Sequence, residues 1–588
     1  MRKLSNIHFN LSNNWSKSLF LPAKKKNTMK KYILSITALL AISFTLKQDN
    51  DKKKWDVSNP AGAYKNVEFS TGEGTWMNLD VSPDGKDIVF DLLGDIYTIP
   101  VTGGEARLLQ GGHAFEVQPR YSPDGKKISY TSDKAGGDNI WTMNRDGSGA
   151  KQITKENFRL LNNAVWSIDG DYLIARKHFT SGRSLGAGEL WMYHITGGDG
   201  IQLTKRKNDQ QDLGEPCVSP DGKHVYYSED VYPGGYFQYN KDPNSQIYVI
   251  RRYSFAKGEI EDMAGGTGGA ARPQLSKDGK MLAFVKRVRE KTVLYIQTLA
   301  TGEERPVFDN LSKDQQEAWA IFGVYTNFNF TPDNKSIITW AQGKLWKIDI
   351  NTSTSTEIPF NVKCNHKIYD ALQFEQKVSP DKFTVKMIRN AITSPDEKTL
   401  IFNAAGYLWK KDLPSGTPVR LSNTSDFEFD PSFSPSGSEI IYVTWNDEQM
   451  GAIYKMNLKD RKSVKLSSEK GIYRTPTYSA DGKTIVFVKE EGNDHQGFTF
   501  CIKPGIYWMS ASGGKMNFVS KHGGSPILLK NNKIFFQSQE GKEKVYKLMD
   551  TTGNNVQTLF SSTYTTDVVA SPDMKWIAFK ELHKVYIA

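Results

Sequence analysis

Ser184 is the residue that comes nearest to a catalytic nucleophile, because Gly182-Arg183-Ser184-Leu185-Gly186 fits G-x-S-x-G. In α/β-hydrolases that elbow lifts a serine above a parallel sheet at a strand-to-helix turn. Here the string lies between two strand-like runs, 172–177 and 189–193, and no helical period follows it. It reads as a glycine-rich loop. Metal chemistry has no better footing. The nine histidines form neither H-x-H nor H-E-x-x-H, so the short-range ligand pairs of hydrolytic zinc sites are missing. Recurrent turn aspartates lack the ladder of acidic positions that a calcium loop needs. No phosphate-cradling G-x-x-x-x-G-K-[ST] occurs. Cys217, Cys364 and Cys501 are odd in number and far apart, which predicts buried free thiols. The expectation is no catalytic residue, no metal ligand and no cofactor within this chain.

Two insertions could bind rather than react. Residues 176–183 are basic and partly aromatic, with Arg176, His178 and Arg183 as candidates. Residues 230–243 (DVYPGGYFQYNKDP) offer Tyr232, Tyr236 and Tyr239. Aromatic groups with a few charges suit a ligand or peptide surface. Ordinary loop packing is the alternative.

The elements that would carry these loops are visible as a repeat. SPDGK stands at 82–86, 122–126 and 219–223, with variants beginning at 167, 276, 331, 394, 434, 479 and 571 and a worn copy, KNNK, at 530–533. Each corner sits between alternating apolar strands, as in KISYT at 127–131, and a third strand follows, as in NIWTM at 139–143. Pro presets φ, Asp bonds the backbone ahead, and Gly accepts positive φ. A sheet of four such strands cannot bury its faces alone, but radial stacking buries them. The fold expected is all-β: two consecutive β-propellers over 55–370 and 371–588. The first has six blades and the second about five. Residues 67–69 are expected to close the last blade of the first propeller. The stretch 351–389 reads as an irregular break. The second propeller stops after three strands of its final blade, so a longer parent protein is expected.

Charge is segregated. Of 76 basic and 65 acidic residues, the first 54 positions hold twelve basic and two acidic ones. The body is therefore near neutral, which gives no basis for a nucleic-acid surface. The leader reads as an export signal within 1–46, with Met29-Lys30-Lys31 before a 13-residue apolar run, 32–44, and Met29 as the true start. Such a run is too short for a lasting membrane span. A periplasmic or secreted location follows.

The SPDGK-type corners and strings such as NIWTMNRDG resemble the repeats of TolB, the periplasmic propeller of the Tol-Pal envelope system. Tricorn and prolyl-oligopeptidase-type enzymes carry similar propellers. Longer strings, among them GYLWKKDLPSGTPVRLS and SPDMKWIAFKELHKVYIA, look like the N-terminal propeller region of large exported amidohydrolase-family proteins. That resemblance implies a hydrolase barrel in the parent protein, which would own any divalent metal. This chain would be the accessory half, for substrate access or docking of a protein, peptide or small-molecule substrate. A standalone TolB-like envelope protein and the propeller half of a peptidase-type serine hydrolase are the alternatives.

Overall fold

The recurrent corner is a small hydrogen-bonded device. In the first copy the Ser82 hydroxyl donates to Asp84 Oδ1 at 2.6 Å and accepts the Asp87 amide at 2.9 Å. Asp84 Oδ1 accepts the Lys86 amide at 3.2 Å, and the Gly85 amide donates to the Ser82 carbonyl at 2.8 Å. Gly85 holds φ +70°, which a side chain would strain. The Ser/Thr–Asp bond recurs at Ser122, Ser167, Ser219, Ser276, Thr331, Ser394 and Ser479. The corners also touch each other. A methyl group on Gly125 would stand 3.3 Å from Pro83 of the preceding copy, and one on Gly85 3.3 Å from Pro332 of the sixth. Several neighbouring corners thus stack on one another, and the sixth stacks on the first.

The computed structural model describes residues 59–588, except 61, 159, 181–185, 235–237, 239–240, 371–376, 492–501 and 572–574. The leader lies outside the described residues. Val57–Ala588 is one unit built of antiparallel sheets, apart from a short parallel pairing of Phe360 and Asn361 with Gly104 and Glu105. Among the described residues no helix is long and apolar enough to cross a membrane.

Among the described residues, ten sheets have four strands and follow the chain in order. Blades 1 to 6 span 79–110, 116–152, 160–202, 213–264, 271–308 and 329–358; blades 7 to 10 span 389–420, 427–465, 472–520 and 524–562. Blade 11, 565–587, has three strands. Apolar faces meet between neighbours: Val89 and Ile96 of blade 1 join Ile128, Tyr130 and Met143 of blade 2. In the later series, Ile401 and Leu408 of blade 7 join Ile440 and Tyr442 of blade 8. Burying one such side chain contributes about 1.5–3 kcal/mol. The largest cluster joins Phe330 and Ile337 of blade 6 to Ile88 and Phe90 of blade 1, which closes the first ring. Hydrogen bonds seal that seam: Asn329 Nδ2 donates to Asp80 Oδ1 at 2.5 Å, and Trp340 Nε1 to the Gly74 carbonyl at 2.8 Å. On blade 11, Trp576, Val585 and Ile587 are exposed.

Two expectations need correction. Residues 67–69 do not close blade 6, whose four strands come from one continuous stretch, Asn329–Phe330, Ser336–Ala341, Lys344–Asp349 and Ser355–Ile358. With every position filled, Tyr64–Thr71 pairs instead with Phe360–Tyr369, Val67 opposite His366. Nor is 351–389 irregular at its start, since it holds Ser355–Ile358 and Phe360–Tyr369. Phe360, Val362 and Cys364 alternate into the core while Lys363 and Asn365 face solvent. The boundary expected near 370 adjoins 371–376, outside the described residues.

Candidate ligand site on the axis of the first ring

The innermost strand of each blade leads into its Ser-Pro-Asp-Gly corner, so its last residues line the axis. Four places before the corner Ser or Thr, the chain carries Asn78, Gln118, Asn163, Glu215, Arg272 and Asn327 in blades 1 to 6. All six are polar and buried. In blades 2 to 5 this residue sits in a β-bulge at positive φ, from 55° to 59°. A bulge turns its extra residue out of the ladder and re-aims the side chain. These side chains then bond to one another and to the backbone of neighbouring blades. Gln118 Oε1 accepts the Asn163 amide at 2.9 Å, and Arg272 Nη1 donates to Asn163 Oδ1 at 3.2 Å. Glu215 Oε2 accepts the Arg272 amide at 2.7 Å, and Arg272 Nε lies 3.3 Å from Glu215 Oε1. Asn78 Oδ1 accepts the Asn327 amide at 3.1 Å.

The segment between blades 5 and 6 lies on this hub. Gln118 Nε2 donates to the Phe322 carbonyl at 2.8 Å, and Asn162 Nδ2 to the Ile321 carbonyl at 2.9 Å. Glu215 Oε1 accepts the Val324 amide at 2.6 Å, and Arg272 Nη2 donates to the Tyr325 carbonyl at 2.6 Å. A methyl group on Gly323 would stand 2.3 Å from Arg272 Nη2, so only glycine fits against the guanidinium. Arg287 clasps the base of the segment, donating to both oxygens of Asp314 at 2.7 and 3.0 Å and to Glu317 at 3.1 Å. The residual space beneath is about 10 Å³, room for about one water at most. One end of the axis is sealed.

The other end is open. Two residues nearer the corner, Asp80, Arg120, Val165, Cys217, Gln274 and Asn329 line a cup of about 470 Å³. Its rim carries Pro83, Pro123, Ile168, Pro220, Lys277 and Pro332, one from each corner. Asp80 is fully engaged: Oδ1 accepts the Val81 amide at 3.0 Å besides Asn329, and Oδ2 accepts the Tyr121 amide at 2.8 Å. Cys217 Sγ accepts the Leu275 amide at 3.4 Å, and burial pushes its thiol pKa up. Among the described residues no cluster of three His, Cys, Asp or Glu side chains could hold a metal ion.

The residues expected to bind stand elsewhere. Arg176 and His178 lie on a strand, Tyr172–Thr180, and both are buried. Arg176 joins blade 3 to the start of blade 4, donating from Nε to Asp212 Oδ1 and to the Leu213 carbonyl, each at 3.1 Å. Burial, the largest influence, raises the Asp212 pKa against the pull of Arg176. His178 Nδ1 is 3.1 Å from Arg176 Nη2, and its ring lies 5.3 Å from Trp319 in the crossing segment. Tyr232 is half-buried, its amide on Asp230 Oδ1 at 2.9 Å, above the buried Asp230–Lys241 ion pair. Arg183, Tyr236 and Tyr239 lie outside the described residues, as does Ser184 itself. The strands flanking Ser184 form an antiparallel hairpin with Thr180 opposite Gly186, so the motif joins two blade strands rather than a strand and a helix.

Glu116, at the start of the inner strand of blade 2, predicts a pH signature. Burial is the main cause that raises its pKa from 4.5 to about 7, with Asp95 and Asp133 adding to it. The folded state therefore binds this proton more tightly than the unfolded chain. The stabilisation is complete below about pH 4.5 and lost as pH rises through about 7. We expect this group to remove on the order of 2–3 kcal/mol between those limits. Urea unfolding at pH 5, 6, 7 and 8 checks it: Glu116→Gln should flatten that part of the profile. The corner aspartates act oppositely. Hydrogen bonds hold the Asp124 and Asp221 pKa values low, so their contribution is lost only as pH falls below about 4.

Among known proteins, the chain is similar to an uncharacterized protein of Agrobacterium fabrum, 28% identical over 158 residues, which are 25% of this chain and 52% of that protein. It is also similar to the Tol-Pal system protein TolB of Helicobacter hepaticus, 26% identical over 159 residues, covering 26% and 37% of the two chains. The matches thus span about half the length of the first relative and just over a third of the second. The crystal structure of TolB from Acinetobacter baumannii superposes over 49% of this chain and 65% of that one, at 16% identity and a TM-score of 0.37. The TolB beta propeller domain matches residues 65–235 and 393–585, more than half of the sequence. With its stacked four-stranded blades and their shared corners, the chain belongs to the TolB beta propeller family.

Proposed function

We propose that this chain is a non-catalytic binding module that captures a partner or ligand in the cup of its first ring. It would serve as the accessory half of an exported amidohydrolase-type protein, working in the periplasm or outside the cell. The observation that carries the reading is the axis of the first ring, bonded shut at one end by the segment before blade 6 and open at the other as a 470 Å³ cup. A closed cup suits docking better than passage along the axis. Similarity to a Tol-Pal system protein supports a binding role as well.

Site-specific photo-crosslinking tests it. A benzophenone side chain at Ile168, on the cup rim, should trap a partner polypeptide or ligand in cells, while one at the equally exposed Ile201, on an outer strand, should not. Equal yields at both positions would remove the cup from the reading. Amide or ester turnover by the purified chain would overturn its non-catalytic part.

A further inference from the structure

We propose that the cup binds a carboxylate carried on an apolar organic body, with Arg120 as the anion-recognising group. This rests on the cup being the binding site and names the ligand class. Arg120 stands on the inner strand of blade 2, two residues before its corner, and is 8% exposed. Its backbone carbonyl accepts Trp166 Nε1 at 3.1 Å, but its guanidinium has no hydrogen-bond or ion-pair partner among the described residues. That sets it apart from the other buried arginines, since Arg176, Arg272 and Arg287 each hold a carboxylate. The neighbouring acid is already committed, because both oxygens of Asp80 accept from Val81, Asn329 and Tyr121.

A buried guanidinium without an acceptor is costly, and desolvation, only partly offset by the nearby Asp80 carboxylate, lowers the Arg120 pKa to about 10, with Arg272 pushing the same way. An entering oxyanion would supply the missing acceptor through paired, charge-assisted hydrogen bonds. The rim repeats the sign. Lys277 occupies the place held by proline in four of the six corners, and it is exposed. Two cations facing one committed carboxylate leave a single positive charge to be balanced. That favours a monoanion over a phosphate dianion. The walls add Val165, Trp166, Val218 and Leu275, which favour a ligand with a hydrocarbon portion over a bare ion.

Calorimetric titration of the full chain with 3-phenylpropionate, its neutral amide, acetate and inorganic phosphate tests each element. We expect the acid to bind about tenfold or more tightly than the amide, and better than acetate or phosphate. Arg120→Met should abolish that preference. Lys277→Ala, on the exposed rim, should weaken the acid about two- to threefold. Without ligand, Arg120→Met should melt no lower than the parent, because it removes an unpaired charge. Acid and amide binding alike would overturn the carboxylate and leave the cup standing as a site. An unchanged acid affinity in Arg120→Met, tighter binding of phosphate, or no binding by any probe would overturn the inference. A large fall in melting temperature for Arg120→Met would overturn it too, by making the residue part of the structural hub.

Discussion

Arg272→Met is expected to cost about 3–5 kcal/mol of unfolding free energy, the range for breaking a buried ion pair by removing one partner. Arg272 is 1% exposed and stitches three blades to the crossing segment: it meets Glu215 of blade 4, Asn163 of blade 3 and the Tyr325 carbonyl. A methionine fills much of the volume but leaves Glu215 charged, 2% exposed and without its cation. Glu215 would keep amide donors from Val324, Tyr325 and Arg272 itself, so the loss belongs to charge rather than to hydrogen-bond count. Adding Glu215→Gln should recover about 1 kcal/mol or more, since the stranded charge is then gone. Urea denaturation of the two single variants and the double variant closes the cycle. Full additivity would show that the pair is not coupled.

Arg287→Met should have an effect of similar size, about 3–5 kcal/mol, expressed locally. Arg287 and Asp314 are both buried, and Thr292 Oγ1 adds a bond to Asp314 Oδ2 at 2.6 Å. This clasp holds the near end of the segment whose middle plugs the axis. Its loss frees the base of the plug while the bonds from Gln118 and Asn162 remain. Amide hydrogen exchange should therefore accelerate first over residues 312–324, with the inner strands of blades 2 to 5 still protected. Uniform acceleration across the ring would mean that the clasp is part of the global fold.

Much of the architecture was legible because its causes are local. A corner that needs Ser, Pro, Asp and Gly at fixed places declares itself wherever it falls, and the strands around it alternate. The closing strand was misjudged because β-pairing is not local: Tyr64–Thr71 meets Phe360–Tyr369 nearly three hundred residues away. The stretch after blade 6 reads as irregular although Phe360, Val362 and Cys364 show period two, a signal masked by the His and Lys residues between and after them. The site was harder. Arg176 and His178 look like a basic loop in the sequence, yet they continue a strand, and the Arg176 charge is spent between blades. The axial residues carried a signal that went unused. Every position four before a corner Ser or Thr in the first six copies is polar, and so are Asn390, Asp430 and Thr475 in the next three. Counting outward from the corners would have found the hub, and two steps further the unpaired Arg120.

The bulges on the inner strands carry a consequence for how such chains drift. Asp430 accepts from Asn390 Nδ2 at 3.1 Å and from the Thr475 amide at 2.9 Å, so the later blades repeat the device with different side chains. What must persist is a polar group able to reach the next blade's backbone, not any particular amino acid. Outer strands answer to no such demand. A lineage of this kind can exchange most of its letters and still spell the same wheel, provided its spokes remain tied at the axle.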